Sequence, residues 1–598
     1  MTLNCSRDKS VAMIKKILVF VSLVVPMICW WWWQHPGLFA VFSEYIPAGS
    51  YEGGDSLHQG FLGGDHLQIF YLAAKLKYNL QQGISIFADP LTFAAKQWML
   101  WDFSVGIQYW TVLLMQWFFG EAAGYNLGFV VLPTIFSALT IYFMLRALAL
   151  PSLLCLAFAW GYSLLPDRMG QIFGGHSGGS VFYLLPLFWG AALRQQLRGS
   201  HGRWDLLAGF VLWLLMLSDE HQAYYVLLAS LVIFPLWLAQ DGWLGFSWAD
   251  KLRWLARKWG GLLVGVVATL GVGLVERWFL FSGMNGDDRS ARSFGEISAY
   301  SHRLGNYLRR GDDHTIGQIS WIAMLILLMV LAILVARKQI SWRTVKLSPS
   351  APLVVVLPLL LLLMAGIGND WSQQTGLYEL AYTYLPFFSA QRAPGKLFGL
   401  NALFIILVLV GASRLLSAEI NKPWLRPVLI VLLLFTGIYQ SYWFVQVNRR
   451  ARSGLTMENI SWELPDLFAY LRKGLGADAI VLNIPFNEDV NRLAYLPLYL
   501  ALRTKARFAS GYYVLPPVGL LAAEAELSPV NQGQIEPATM ALAQHLGYTH
   551  VLVVREGWEL KGSTGEQVNA RLASSPLLSQ ILCEGRLCLY KILTQRSF

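Results

Sequence analysis

Charge is scarce in this sequence. Lys, Arg, Asp and Glu make up 14% of its 598 residues, against about 25% in an ordinary soluble domain. A soluble chain of this length divides into several domains, each with a charged exterior. Too few charged residues are present to build those exteriors, which excludes a soluble enzyme or a disordered scaffold. Cysteine is scarce too. Five residues, none at metal-ligand spacing, support no disulfide framework. One pair is informative: Cys583 and Cys588 flank EGRL in a stretch that reads as a β-hairpin. They are close enough for a cross-strand bridge in an oxidising compartment.

Apolar residues are abundant, at 55%, and they come in runs such as ILVFVSLVVPMICWWWW and PLVVVLPLLLLLMAGIG. Spans are expected at about 17–33, 125–146, 151–165, 179–193, 205–218, 223–239, 260–281, 318–336, 352–367, 397–413 and 427–446. This is an α-helical polytopic membrane protein of about 11 transmembrane helices, not a single-span receptor. The first run ends in Trp30 to Trp33, which suit an interfacial aromatic belt better than a signal-peptide cleavage site. The net charge of +10 lies mostly in short loops, as membrane orientation requires, so nucleic acid is not expected as a partner.

Segment 104–119 contains Gln108 and Gln116 and decides the topology. If it does not cross, loops on the N-terminal side hold 15 Lys and Arg in about 66 residues, against 8 in about 84 on the other side. If it crossed, that bias would be inverted, against the positive-inside rule. Segment 104–119 is therefore expected to be re-entrant or interfacial. The N-terminus is placed in the cytoplasm of a multi-pass protein of the bacterial inner membrane. The C-terminus is placed outside.

Residues 1–446 form the expected membrane domain, with a long first outer loop at 34–124. Residues 447–598 are more polar, with strand-length apolar runs at 479–485, 506–512, 549–554 and 587–593, and a helix at 537–547 ending on Gly547. They read as a C-terminal α/β extracytoplasmic (periplasmic) domain.

The outward loops carry the candidate chemistry. In the first, apolar residues recur at helical spacing from His66, which suggests a helix lying at the interface with Asp65 at its start. Capping alone accounts for an Asp in that position. The second offers Asp167, Arg168 and His176 among glycines; the third is only SDEHQ, with Asp219, Glu220 and His221. Ionisable groups at a membrane boundary are costly unless they face a cavity or each other. Glu220 and His221 are candidate ligands for a divalent metal, Mg, Mn or Zn, although no cofactor is required. Arg392 and Lys396 enter the tenth span together, either snorkelling to headgroups or cradling a lipid-linked phosphate.

The chain resembles the GT-C superfamily of polytopic glycosyltransferases, in particular bacterial YfhO-like and related integral membrane proteins. The likeness rests on Asp65-His66-Leu67-Gln68 through Gly83, on Gly175-His176, on Gln391 to Lys396, and on the C-terminal α/β region. It implies transfer of a sugar from a polyprenyl-phosphate donor to a glycan, lipid or protein acceptor on the outer membrane face, usually with inversion. Asp65 is implied as the general base, with Asp167 and His176 competing for a second role. Arg392, Lys396 and Arg168 then serve the phosphate. The rival readings are a lipid or polysaccharide flippase, which expects internal repeats and charges deep in the spans, and a non-catalytic envelope assembly protein.

Overall fold

The computed structural model describes residues 2–34, 42–47, 65–86, 91, 106–198, 203–282, 318–337, 351–365, 384, 398–419, 424–450, 457–459, 464–476, 478–486, 496–509, 526–556 and 558–593. Each expected span overlaps a helix in its described part, but 179–193 is divided, with a turn at Phe182 and Tyr183 between the helices Ser177–Val181 and Leu184–Arg198. In chain order the helices are α1 (Thr2–Gln34), α2 (Asp65–Gln82), α3 (Ile107–Phe119), α4 (Glu121–Ala147), α5 (Ser152–Ser163), α6 (Pro166–Phe173), α7 (Ser177–Val181), α8 (Leu184–Arg198), α9 (Trp204–Ser218) and α10 (Glu220–Gln240). They continue with α11 (Trp248–Ser282), α12 (Gln318–Ala336), α13 (Ala351–Ala365), α14 (Phe398–Glu419) and α15 (Leu425–Arg450). Among the described residues five stretches are long and apolar enough to cross a membrane: Met13–Trp33, Glu121–Ala147, Glu220–Gln240, Trp248–Leu274 and Leu425–Gln446. α11 starts twelve residues before the expected span, because the basic run from Lys251 to Lys258 is helical and continuous with it.

Small residues set the helix crossings. A Cβ on Gly265 of α11 would lie 2.3 Å from the Cα of Gly209 on α9, so the two backbones touch directly. Lipid tails are as apolar as leucine, so close backbone packing replaces hydrophobic burial as the force that joins helices.

α3 folds back on α4 at Gly120, whose φ of 85° a side chain would resist. A Cβ on Gly124 would lie 2.3 Å from the Cα of Gln116. At 13 residues, α3 is about 20 Å long, short of the ~30 Å hydrocarbon layer. Its polar Gln108 and Gln116 are buried, whereas Trp110, Leu114, Trp117, Phe118 and Phe119 face outward.

α2 forms where the periodicity predicts and ends on Gly83 at φ 65°. Its expected setting is corrected. From His66 to Leu76 every residue is buried except the half-buried Ala74, so this stretch lies under protein, and only the last turn, with Lys77 half-buried and Leu80 to Gln82 exposed, is open. α3 and a helix of the C-terminal region, α17 (Leu496–Thr504), pack against it. Periodicity finds an apolar face but does not say whether lipid or protein covers it.

Before α17 comes α16 (Pro465–Lys473), and after it α18 (Pro537–His545) and α19 (Gly565–Ala573). The strands are β1 (Tyr45–Pro47), β2 (Met457–Asn459), β3 (Ile480–Ile484), β4 (Arg507–Phe508), β5 (Tyr548–Val554), β6 (Glu559–Leu560), β7 (Ser563–Thr564), β8 (Leu578–Glu584) and β9 (Leu587–Ile592). Five form one sheet in the order β4-β3-β5-β9-β8, parallel through β4, β3 and β5 and antiparallel through β9 and β8. Cys583 faces Cys588 across the β8–β9 hairpin and the two are bonded, as the sequence suggested. β1, from the first long loop, pairs antiparallel with β2 just after α15. The loop and the C-terminal region are thus stitched together beside the bundle.

Candidate functional site

The short SDEHQ link between α9 and α10 is where the pieces meet. Asp219 caps α10, accepting from the Gln222 backbone at 3.1 Å and from Gln222 Nε2 at 3.0 Å. Gln222 Nε2 also donates to the Gly178 carbonyl at 3.1 Å, which ties α7 to this cap. A Cβ on Gly178 would lie 2.6 Å from Asp219 Oδ2 and 3.1 Å from Gln171 Oε1. Gly178 is therefore needed so that the start of α7 can rest on the carboxylate. One residue back, Ser218 Oγ accepts from the Ile107 backbone at 3.1 Å, and Gln108 Nε2 reaches the Ser218 carbonyl at 3.4 Å. α3 thus starts on the same junction.

A second anchor holds α2. His66 is fully buried; its Nδ1 lies 2.7 Å from the Tyr125 hydroxyl, and its ring meets Tyr125 and Phe129 edge-on. Tyr125 and Phe129 lie on α4 where the backbone widens into a π-helical stretch, Asn126–Val131. Asn126 Nδ2 donates to the carbonyls of Phe42 and Tyr45, at 3.1 and 2.8 Å, and holds the loop that carries β1. α6 packs against this same stretch. The start of α2 and the α6–α7 corner, 100 residues apart in the chain, converge on one distorted turn. Such turns are frequent at functional sites.

The predicted residues fall as follows. Asp65 opens α2, immediately before the anchored His66; its side chain, like that of Asp167 in α6, lies outside the described residues. Arg392 and Lys396 also lie outside them. His176 is half-buried in the α6–α7 corner against Gly174. Arg168 is fully buried, donating from Nη1 to the Ser163 carbonyl at the end of α5. Among the described residues its Nε and Nη2 have no hydrogen-bond partner, an arrangement that costs several kcal/mol unless an anion or water reaches it. Burial lowers its pKa to about 9, so it stays a cation at neutral pH.

Glu220 and His221 form a half-exposed pair, 3.6 Å apart, on the first turn of α10. Two ligands fall one short of a typical protein-held metal site, and among the described residues no group of three or more His, Cys, Asp or Glu gathers. Sequence reasoning noticed Asp219 but not its bridging role, and it missed Tyr125, Gln171 and Gln222. Only the Gly-rich spacing around Gly178 hinted at a close approach.

No protein-family profile and no curated protein matches the chain. Solved structures do. Over 97% of its length the chain is similar to arabinofuranosyltransferase AftD from Mycobacteria, with a TM-score of 0.54 and 12% identity, and it spans 40% of that protein's length. The Archaeoglobus fulgidus oligosaccharyltransferase matches 90% of the chain at a TM-score of 0.47 and 10% identity, with 70% of its own length covered. ArnT from Cupriavidus metallidurans, solved bound to undecaprenyl phosphate, matches 97% at 0.45 and 11%, with 98% covered. The likeness to AftD is one of fold: this is a membrane protein with the GT-C fold. It does not reach down to the YfhO-like branch.

Proposed function

We propose that the chain is a membrane glycosyltransferase that moves a sugar from a polyprenyl-phosphate donor to a glycan, lipid or protein acceptor at the outer face of the cytoplasmic membrane. One observation carries this reading: within a GT-C fold, the start of α2 is anchored on Tyr125 and Phe129, and α6 packs against the same π-helical stretch. It supports grouping the segments that bear Asp65, Asp167 and His176 in one site.

In the proposed reaction the acceptor oxygen attacks the anomeric carbon, and its proton passes to Asp65. The bond from that carbon to the phosphate oxygen breaks, its electron pair leaves with the phosphate, and the anomeric centre inverts. A helix N-terminus favours a carboxylate in its charged form, which is the form a base needs. The phosphate, with a second pKa near ~6, departs without a strong acid; what it needs is positive charge. Arg392 and Lys396 are the proposed cations. Arg168 joins them only if α6 shifts to uncover its two unpartnered nitrogens. His176 and Asp167 orient the acceptor. No step is routed through a metal; Glu220 and His221 could supply two of its ligands. The Cys583–Cys588 bond supports the placement of the C-terminal region in an oxidising compartment.

The test is transfer of radiolabelled sugar from a polyprenyl-phosphate pool in proteoliposomes, comparing wild type with Asp65→Asn at equal protein. Loss of a general base lowers the rate about 10²–10⁴-fold while donor binding persists. Unchanged transfer by the variant would return Asp65 to helix capping, and wild type inert with every pool would remove the transferase reading.

A further inference from the structure

Among the described residues three cations and one carboxylate gather where α2, the start of α4 and the C-terminal region meet. Arg503 Nη1 pairs with Glu121 Oε2 at 3.4 Å. Lys505 lies over the Tyr78 ring, 5.2 Å from its centre. Partial desolvation lowers its proton affinity, the Glu121 charge raises it, and the Arg503 and Lys77 charges lower it again. The four groups therefore share one electrostatic neighbourhood in which, among the described residues, cations outnumber carboxylates three to one, and Glu121 is about half exposed.

Just before Glu121 the chain leaves α3, which is built inside out. Gln108 and Gln116 point into the protein, while Trp110, Leu114, Trp117 and Phe118 follow one another along the open face. Phe118 is 73% exposed. A helix that buries its amides and exposes its aromatics is adapted to an apolar medium. Depth agrees with this. Glu121–Ala147 has 27 residues and is about 40 Å long, which exceeds the ~30 Å hydrocarbon layer and matches its thickness with headgroups included. Glu121 thus falls at headgroup depth when Ala147 sits at the opposite boundary.

We infer that this corner is a docking surface for anionic phospholipid, with the open face of α3 among the acyl chains and Lys77, Arg503 and Lys505 on the headgroup phosphates. A soluble polyanion would satisfy the cations but leave the stripe from Trp110 to Phe118 in water. Arg503 and Lys505 belong to the C-terminal region, so bound lipid clamps that region to α2. The inference rests on the membrane fold and not on the transferase reading; the two can fail separately.

The experiment uses the full chain in nanodiscs of mixed phosphatidylcholine and phosphatidylglycerol, with retained lipids counted by native mass spectrometry. Wild type is expected to retain phosphatidylglycerol in excess of its share. Lys505→Gln, which leaves the Arg503–Glu121 pair intact, should reduce that preference about fivefold. Lys77→Gln with Lys505→Gln should reduce it further, and Arg503→Lys should preserve it. Neutralising Lys561 and Arg586, elsewhere in the C-terminal region, should change nothing. Equal retention of both lipids by wild type, or an undiminished preference in the double variant, would overturn the inference. Dextran sulfate binding that is lost in the double variant, with no lipid preference in wild type, would also overturn it and assign the seam to a soluble polyanion.

Discussion

The helical bundle and the C-terminal sheet solve the same problem in opposite ways. In the bundle many hydroxyls turn back on their own helix, as where Ser137 donates to the Pro133 carbonyl at 2.8 Å, Thr269 to Gly265 at 2.7 Å and Thr436 to Leu432 at 2.8 Å, although Ser441 also reaches the Ala157 carbonyl at 3.0 Å. In the C-terminal region polar groups reach across the fold. Glu584 Oε2 accepts from the Leu467 backbone at 2.8 Å, 117 residues away, and the Tyr590 hydroxyl donates to Asn569 at 2.8 Å. The surfaces differ in the same sense. Leu231, Val264 and Val267 stand about 70% exposed on the bundle, whereas Leu593 is the one large apolar side chain exposed among the described residues after α15. Where the surroundings offer no hydrogen bonds, each helix must satisfy itself; where water is available, distant partners can be used.

Enlarging a helix crossing breaks the bundle side of this comparison most severely. Gly265→Leu forces α9 and α11 apart, because even a Cβ lies 2.3 Å from the Cα of Gly209. The expected loss is about 3 kcal/mol or more, read as disappearance of the monodisperse peak in detergent. Gly476→Ala, with nothing within 4 Å of the added carbon, should leave that peak unchanged. A charge comes next. Val267→Asp on the open face of α11 should cost about 3 kcal/mol in membrane insertion, measured in a translocon insertion assay. Gln580→Asp, exposed on β8, should stay within about 0.5 kcal/mol in thermal unfolding. Equal penalties at the two sites would mean that α11 faces protein or water, not lipid.

The covalent link sharpens the other side. Removing the Cys583–Cys588 bond by a double Ser substitution should cost about 2 kcal/mol for so short a loop. The loss should appear as faster hydrogen exchange in β8 and β9 with no change in α9 or α11. Exchange that rises throughout the bundle would show that the two regions unfold as one unit.

These contrasts explain what could be read from the residues alone. Long apolar runs report their solvent directly, so a membrane bundle was legible, and five of the expected spans recur among the described residues as helices long and apolar enough to cross; the exclusion of 104–119 rested on loop charges, which no contact within the bundle reports. Strand runs such as THVLVV report a buried sheet. The setting of α2 was not legible, because its cover comes from α3 and α17, one of them more than 400 residues further on. The site was half legible. Glycines around His176 announced a close approach, but Asp219 as the contact, and the π-helical turn that joins His66 to α6, depend on pairings no local pattern encodes.

The smallest effect concerns His550, which lies in β5 opposite Lys591 of β9, with Thr549 Oγ1 2.8 Å from its Nδ1 and Tyr470 edge-on to its ring. Burial lowers its pKa, and the Lys591 charge lowers it further. The unfolded imidazole takes up its proton near ~6.5, whereas the folded one stays neutral to lower pH. Below that point the unfolded state binds more protons, so stability is fully present above pH 7 and declines toward pH 5. The bundle has no share in this, and the decline should be confined to the sheet, seen as faster exchange of β5 and β9 amides at the lower pH after correction for intrinsic rates. His550→Gln should flatten the dependence. A variant that keeps the full decline would place the titrating group elsewhere, and a decline shared by α9 and α11 would show that the sheet and the bundle answer to pH together despite their different solvents.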